Sequence, residues 1–229
     1  MARTILRLDI KNDWIVKGRQ FEGVQKVFRI DNDFQLPKVV GIEELFLLDT
    51  TRSFFGLPPN FLALERIARK TLLPITFGGG ICSIDHVLEA FDRGASRVYL
   101  NSAVTRQPNL IKDLVQTVGA QAIVGGCEYR NRSGIRECYI DSGREPLSET
   151  LTQRAKSLLE CGVGEVICCS IGQDGLQTGF DTCAASEMKL PIPVILSGGG
   201  NEHDFTFRNS LHSAADGYCF SSTLIKYYD

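Results

Sequence analysis

The chain has 229 residues, 43% hydrophobic and 23% charged. That is the composition of a folded globular protein, and it excludes a disordered tail, a collagen-like repeat and a coiled coil. Lys and Arg number 25 against 27 Asp and Glu, so the basic excess of a protein bound to nucleic-acid backbones is missing. No run approaches the roughly 18 apolar residues that span a bilayer, and no membrane partner is expected.

Met1 to Leu6 run straight into a strand-like stretch without the architecture of a signal peptide, which predicts a cytoplasmic protein. The first strand is expected over 4–9. Lys11 to Phe34 then reads as a long first loop, and a loop of about 20 residues in a compact domain is usually functional. It carries Lys17-Gly18, which suits a mobile lid whose lysine reaches a phosphate. Segment 31–40, the place for a first crossover helix, contains Pro37, so that helix is short or broken. Further strands are expected over 44–49, 73–77, 97–101, 121–127, 165–169, 192–196 and 216–220. Helices are expected over 58–70, 83–93, 107–117, 148–161, 180–188 and 201–212.

Leu45-Phe46-Leu47-Leu48 and Val166-Ile167-Cys168-Cys169 are continuous apolar runs, as in parallel strands buried on both faces. Pro74 and Pro193 stand at strand starts, where a missing N–H matters little. Arg130-Asn131-Arg132 with Arg136 reads as a basic hairpin turn after the fifth strand. Only Ser221 to Asp229 follow the eighth strand, enough for a truncated final helix, which leaves a groove for a partner subunit.

Eight strands alternating with helices predict a single α/β domain over 1–229, a (β/α)8 TIM barrel, with a doubly wound open sheet as the alternative. An internal repeat favours the barrel. Gly78-Gly79-Gly80 is matched by Gly198-Gly199-Gly200, Asp9 by Glu128, Asp49 by Cys169 and Asn101 by Ser221, each pair 119 or 120 residues apart. Two fused half-barrels, about 1–119 and 120–229, account for that register.

Active sites of such barrels lie at the C-terminal strand ends. Both glycine triplets fall there, and glycine-rich turns let backbone N–H groups approach a phosphate. Gly79, Gly80, Gly198 and Gly199 therefore imply a substrate with a phosphate at each end. Asp9 and Glu128 stand between them as a candidate general acid and base. Asp49, Asn101, Ser170 and Asp174 end other strands and suit orienting hydroxyl or amide groups. The eight cysteines are scattered, with no C-x-x-C pair, and read as reduced and mostly buried. With only His86, His203 and His212 besides, no zinc site and no cofactor are expected.

Leu8-Asp9-Ile10-Lys11 and Val16-Lys17-Gly18-x-x-Phe21-Glu22-Gly23 strongly resemble the cyclase subunit of imidazole glycerol phosphate synthase. So do Leu47-Leu48-Asp49-Thr50-Thr51, Phe77-Gly78-Gly79-Gly80-Ile81, Leu100-Asn101-Ser102-Ala103 and Asp174-Gly175-x-x-x-Gly179-Phe180-Asp181. The resemblance implies that ammonia from a glutaminase partner, docked on the N-terminal face, travels up the barrel. There it attacks a bisphosphorylated ribulosyl aminoimidazole carboxamide, giving imidazole glycerol phosphate and an aminoimidazole carboxamide ribotide. It puts the catalytic pair on Asp9 and Glu128 and the lid lysine on Lys17. The phosphate loops fall on the glycine triplets, with Asn101 and Ser222 nearby. It also implies an ammonia gate of Arg3, Glu44, Arg97 and Glu165, four charges that satisfy one another until a partner loosens them.

The chain departs from the family in having Glu128 for an aspartate, Gly172 for another aspartate, Cys169 for a threonine, and a short tail. These changes resemble family paralogues that hand ammonia to a sugar amidotransferase in surface-polysaccharide biosynthesis. That role is the alternative to the histidine-pathway cyclase. A catalytically silent phosphate-binding barrel is the third reading, and it gives no reason to keep Asp9, Lys17 and Asn101.

Overall fold

The computed structural model describes residues 2–31, 35–36, 41–207 and 214–225. Its strands in chain order are β1 (Arg3–Lys11), β2 (Trp14–Arg19), β3 (Glu22–Arg29), β4 (Glu44–Asp49), β5 (Ile75–Gly78), β6 (Arg97–Leu100), β7 (Ile123–Arg132), β8 (Ile135–Ile140), β9 (Glu145–Thr150), β10 (Glu165–Ser170), β11 (Val194–Ser197) and β12 (Gly217–Phe220). The α-helices are α1 (Phe61–Ala68), α2 (Ile84–Asp92), α3 (Ser102–Arg106), α4 (Pro108–Val118), α5 (Leu151–Cys161), α6 (Thr182–Met188), α7 (Glu202–Thr206) and α8 (Ser222–Ile225). Pro37, His212 and most of segment 31–40 lie outside the described residues.

Side chains of a strand alternate between its two faces, and here both faces are buried. On β1, Leu6, Leu8 and Ile10 pack outward under the helices while Ile5 points into the barrel. On β4, Leu45 and Leu47 face out and Phe46 and Leu48 face in; on β10, Val166 and Cys168 face out and Ile167 in. Two concentric cores thus explain why these strands read as unbroken apolar runs.

Parallel pairing runs β1–β4–β5–β6–β7–β10–β11–β12. It closes from β12 back to β1, with Arg3 opposite Gly217 and Leu6 opposite Phe220. Closure excludes the open sheet and establishes the (β/α)8 barrel.

Three sequence expectations are corrected. Of the loop expected over Lys11 to Phe34, Lys11 to Arg29 is instead a hairpin: β1 continues past the barrel rim and pairs antiparallel with β2, which pairs with β3, while 32–34 lie outside the described residues. All of β3 is exposed or half-buried, so it carries little of the apolar alternation that reveals a strand. The expected helix over 148–161 starts at Leu151, because Glu145–Thr150 is spent as β9 against β8. Thr150 is instead the N-cap, exchanging hydrogen bonds with Gln153 in a capping box. Finally, the repeat is not in constant register. Asp9 lies beside Leu48 and Glu128 beside Cys169, so Asp49 matches Ser170 rather than Cys169. Gly78 ends β5 as Ser197 ends β11, which aligns Gly79-Gly80 with Gly198-Gly199.

An antiparallel hairpin follows β1 in one half and β7 in the other: β2–β3 and β8–β9. The second turns at Ser133-Gly134, both at positive φ, so the expected basic turn is present. All eight cysteines are unpaired, and Cys82 and Cys183 are exposed. No described helix is long and apolar enough to cross a membrane.

Candidate active site

Inward positions along β1 fall on residues 3, 5, 7 and 9, so one strand threads the barrel from base to mouth. At the base, Arg3, Glu44, Arg97 and Glu165 come together as a closed ring. Glu44 is bound by Arg3 at 3.3 Å and by Arg97. Glu165 is bound by Arg97 at 2.9 Å and by Arg3. Thr76 Oγ1 also donates to Glu44 at 2.7 Å. Each buried carboxylate thus has two guanidinium partners, as a charge withdrawn from water requires. Above the ring the bore is apolar, filled by Ile5, Phe46, Tyr99, Val124, Ile167 and Ile195.

At the mouth the two glycine turns make equivalent close approaches. Gly79 and Gly198 have φ of +105° and +82°. A methyl on either would collide with a backbone carbonyl of the preceding barrel strand, that of Asp49 or of Ser170. Only glycine tolerates both constraints. Gly79, Gly80, Asn101 and Ser102 line one small cavity, and Gly198, Gly199, Gly200, Ser221 and Ser222 line another. The central cavity between them is lined by Asp9, Glu128, Asp174, Arg7 and Lys11. Glu128 also borders the first glycine cavity and Asp174 the second.

The carboxylates differ in their partners. Asp9 Oδ1 accepts from Arg7 Nε at 2.8 Å. Glu128 Oε1 accepts from the Tyr99 hydroxyl at 3.2 Å. Its Oε2 is buried without a hydrogen-bond partner among the described residues. Burial pushes the Glu128 carboxyl up from its ordinary 4.5 to about 7, against the downward pull of Arg7 and the Tyr99 hydroxyl; Asp9 and Asp174 add to the rise. Asp174 is likewise raised by burial, partly offset by Arg7. Burial also raises the Cys169 thiol to about 12, so it stays neutral beside them.

Asp49 and Asn101 both line the first glycine cavity, and each also holds side-chain bonds of its own. The Asp49 carboxylate accepts from Thr51 N at 3.0 Å, Thr51 Oγ1 at 2.8 Å and Arg52 N at 3.2 Å, so it organises its own loop. Asn101 Oδ1 accepts from Arg154 at 3.0 Å and its Nδ2 donates to the Tyr139 carbonyl at 3.1 Å, which locks the amide in place. Ser170 borders an outer cavity with Arg130 and Gln173, and does not line the central one. Lys17 sits on β2 between Val16 and Gly18, both of which line the central cavity while Lys17 does not. Rather than a loop, this hairpin is docked on the β10–α6 segment: Gln20 N donates to the Asp174 carbonyl and Gln20 Nε2 to that of Gly172, both at 2.8 Å.

Arg7, Tyr99 and Arg154 were not singled out from the sequence. Arg7 was detectable, since it shares a face with Asp9 two residues on, inside an otherwise apolar strand. Tyr99 and Arg154 read as ordinary strand and helix residues, and only tertiary packing gives them their partners. Among the described residues no cluster of His, Cys, Asp and Glu is arranged to hold a metal.

The model of the histidine biosynthesis protein family matches residues 3–224. The imidazole glycerol phosphate synthase subunit HisF of Lactococcus lactis is 34% identical over 223 residues, 93% of this chain and 85% of that protein. The HisF subunit of Legionella pneumophila is 34% identical over 201 residues, 86% of this chain and 95% of that protein. That of Chloroherpeton thalassium is 32% identical over 216 residues, 93% and 86% respectively. Matched over nearly its whole length by such relatives, this chain with two equivalent glycine turns at its barrel mouth belongs to the HisF family of histidine biosynthesis proteins.

Proposed function

We propose that this barrel is the ammonia-using synthase subunit of imidazole glycerol phosphate synthase, a cytoplasmic lyase of histidine biosynthesis that works with a glutaminase. One observation carries the reading: Asp9 and Glu128 line a central cavity flanked by two equivalent glycine turns. A long substrate with a phosphate at each end fits that order, its reacting centre held over the carboxylates. Gly79 and Gly80 hold one phosphate, and Gly198 and Gly199 the other with Ser221 and Ser222. Asp49, Asn101 and Ser170 shape the loops around them, and Lys17 closes over the mouth on substrate binding. Asp9 and Glu128 exchange protons with the substrate as ammonia is incorporated and the imidazole ring closes.

In this reading the ring of Arg3, Glu44, Arg97 and Glu165 is the ammonia entrance. A glutaminase on the N-terminal face would draw one of its charges aside, since two carboxylates each held by two guanidiniums leave the base shut. A second reading, delivery of ammonia to a sugar amidotransferase, is favoured by the glutamate at 128 and the glycine at 172.

The test supplies the purified chain with ammonium at alkaline pH and the bisphosphorylated ribulosyl aminoimidazole carboxamide, following substrate loss by absorbance. Turnover is expected, falling on the order of a thousandfold in Asp9→Asn. A folded protein that binds the substrate without converting it overturns the cyclase reading in favour of the second.

A further inference from the structure

Arg7 lines the central cavity of the mouth beside the two carboxylates. Its side chain is 3% exposed. From there Nε donates to Asp9 Oδ1 at 2.8 Å, while Nη1 reaches Asp174 Oδ1 at 3.3 Å and Ser197 Oγ at 3.2 Å. The Phe21 ring lies over the guanidinium, 5.5 Å from its carbon. Phe21 arrives there through a two-residue turn, Gln20-Phe21, in which both φ are positive, at +55° and +65°. Bulky residues rarely adopt that conformation, and such strain persists only where the surrounding structure enforces it. The β2–β3 hairpin therefore holds a strained turn whose ring seals Arg7 from solvent.

We infer that Arg7 is a positioning residue that divides the labour of the carboxylates, orienting Asp9 to accept a proton and leaving Glu128 to donate one. The inference rests on the reading of Asp9 and Glu128 as the proton-transferring pair. It is carried by an asymmetry of geometry: Arg7 binds Asp9 and Asp174 directly, whereas Glu128 receives only the Tyr99 hydroxyl. The unpartnered Glu128 Oε2 is the natural seat of a proton awaiting transfer. Pairs of acids whose surroundings differ in this way take opposite roles in acid–base catalysis.

The charged and titratable groups around Glu128 come from six places. Arg7, Asp9 and Lys11 belong to β1, Tyr99 to β6, Tyr139, paired opposite Glu128, to β8, Cys169 to β10, Asp174 to the segment after β10, and Arg144 to the turn between β8 and β9. Arg7 and Tyr99 hold the Glu128 carboxyl down while burial, Asp9 and Asp174 raise it. Removing the guanidinium takes away the principal downward influence.

The experiment compares Arg7→Met and Arg7→Lys with the native chain by two readouts. One is the ammonium-dependent pH–rate profile. The other is titration of the Glu128 carboxyl by infrared difference spectroscopy against Glu128→Gln, which needs no substrate. In Arg7→Met the Glu128 titration is expected to rise by about one pH unit or more. Its kcat should fall on the order of a hundredfold with KM changed by less than about threefold. Arg7→Lys keeps the charge, so the Glu128 titration should stay within about half a unit. The rate should recover only in part, because an ammonium lacks the fork that meets Asp9 and Asp174 together.

A Glu128 titration that does not move in folded Arg7→Met overturns the inference, as does a native pH–rate profile in that variant. If Arg7→Met does not fold, Arg7→Lys decides: full native rate overturns the inference and partial rate upholds it. A native chain without turnover counts against the proposed function, and the spectroscopic titration still judges Arg7 on its own.

Discussion

Glu128 holds the least comfortable position in the site. The residue is 4% exposed, its carboxyl has one hydrogen bond, and burial pushes that carboxyl up to about 7. In the unfolded chain it returns to its ordinary 4.5. Between those values the folded protein binds the extra proton, so stability falls as pH rises from about 4.5 through 7. A shift of that size corresponds to about 3 kcal/mol. Glu128→Gln removes the dependence, and we expect the variant to gain on the native chain by about that amount between pH 5 and pH 8. Urea unfolding at the two pH values measures it; equal differences at both would refute the buried acid. Tyr99→Phe acts oppositely. It deletes the one bond to Glu128 Oε1, so the limb of the pH–rate profile near 7 should move to higher pH.

At the scale of elements, the glycine turns and the hairpins set the shape of the mouth. Gly198→Ala faces both a φ of +82° and the Ser170 carbonyl. Gly134 in the β7–β8 turn has a φ of +84° and open space around it. Gly134→Ala should therefore cost only the conformational term, about 1 kcal/mol. Gly198→Ala should cost about 3 kcal/mol or more and weaken inorganic phosphate binding as well. Denaturant melts and calorimetric titration with phosphate distinguish the two; equal losses would show that backbone approach plays no part. Docking of β2–β3 on the segment after β10 works on the same scale, since Gly175 leaves room for the Gly18 carbonyl and Gln20 bonds across to Asp174 and Gly172.

For the molecule as a whole, the barrel is closed at its base by charge and filled above by apolar side chains. Arg97→Ala leaves Glu44 and Glu165 sharing the Arg3 guanidinium, with Thr76 still bonded to Glu44, a destabilisation of about 3 kcal/mol. If the ring governs ammonia entry, the variant keeps ammonium-driven turnover at the mouth and loses coupling to a glutaminase. The ratio of glutamine-driven to ammonium-driven rate is the measurement. A ratio unchanged from the native complex would leave the ring a purely structural device.

Local chemistry in the chain was enough to locate the eight barrel strands, with 44–49 placed to the residue, because apolar runs bounded by glycine and proline report burial directly. It also showed that glycine turns and carboxylates recur at matching strand ends. The β2–β3 hairpin stayed hidden because β3 is mostly solvent-facing and owes its form to pairing with β2. Asp49 and Asn101 carry the right chemistry, yet the folded chain ties their side chains to Thr51, Arg52, Arg154 and Tyr139. Alternation along a strand tells which side chains share a face. Which of them meet across the bore depends on the parallel register of strands far apart in the chain. That register made Tyr99 the partner of Glu128 and set Arg7 among Asp9, Asp174 and Ser197.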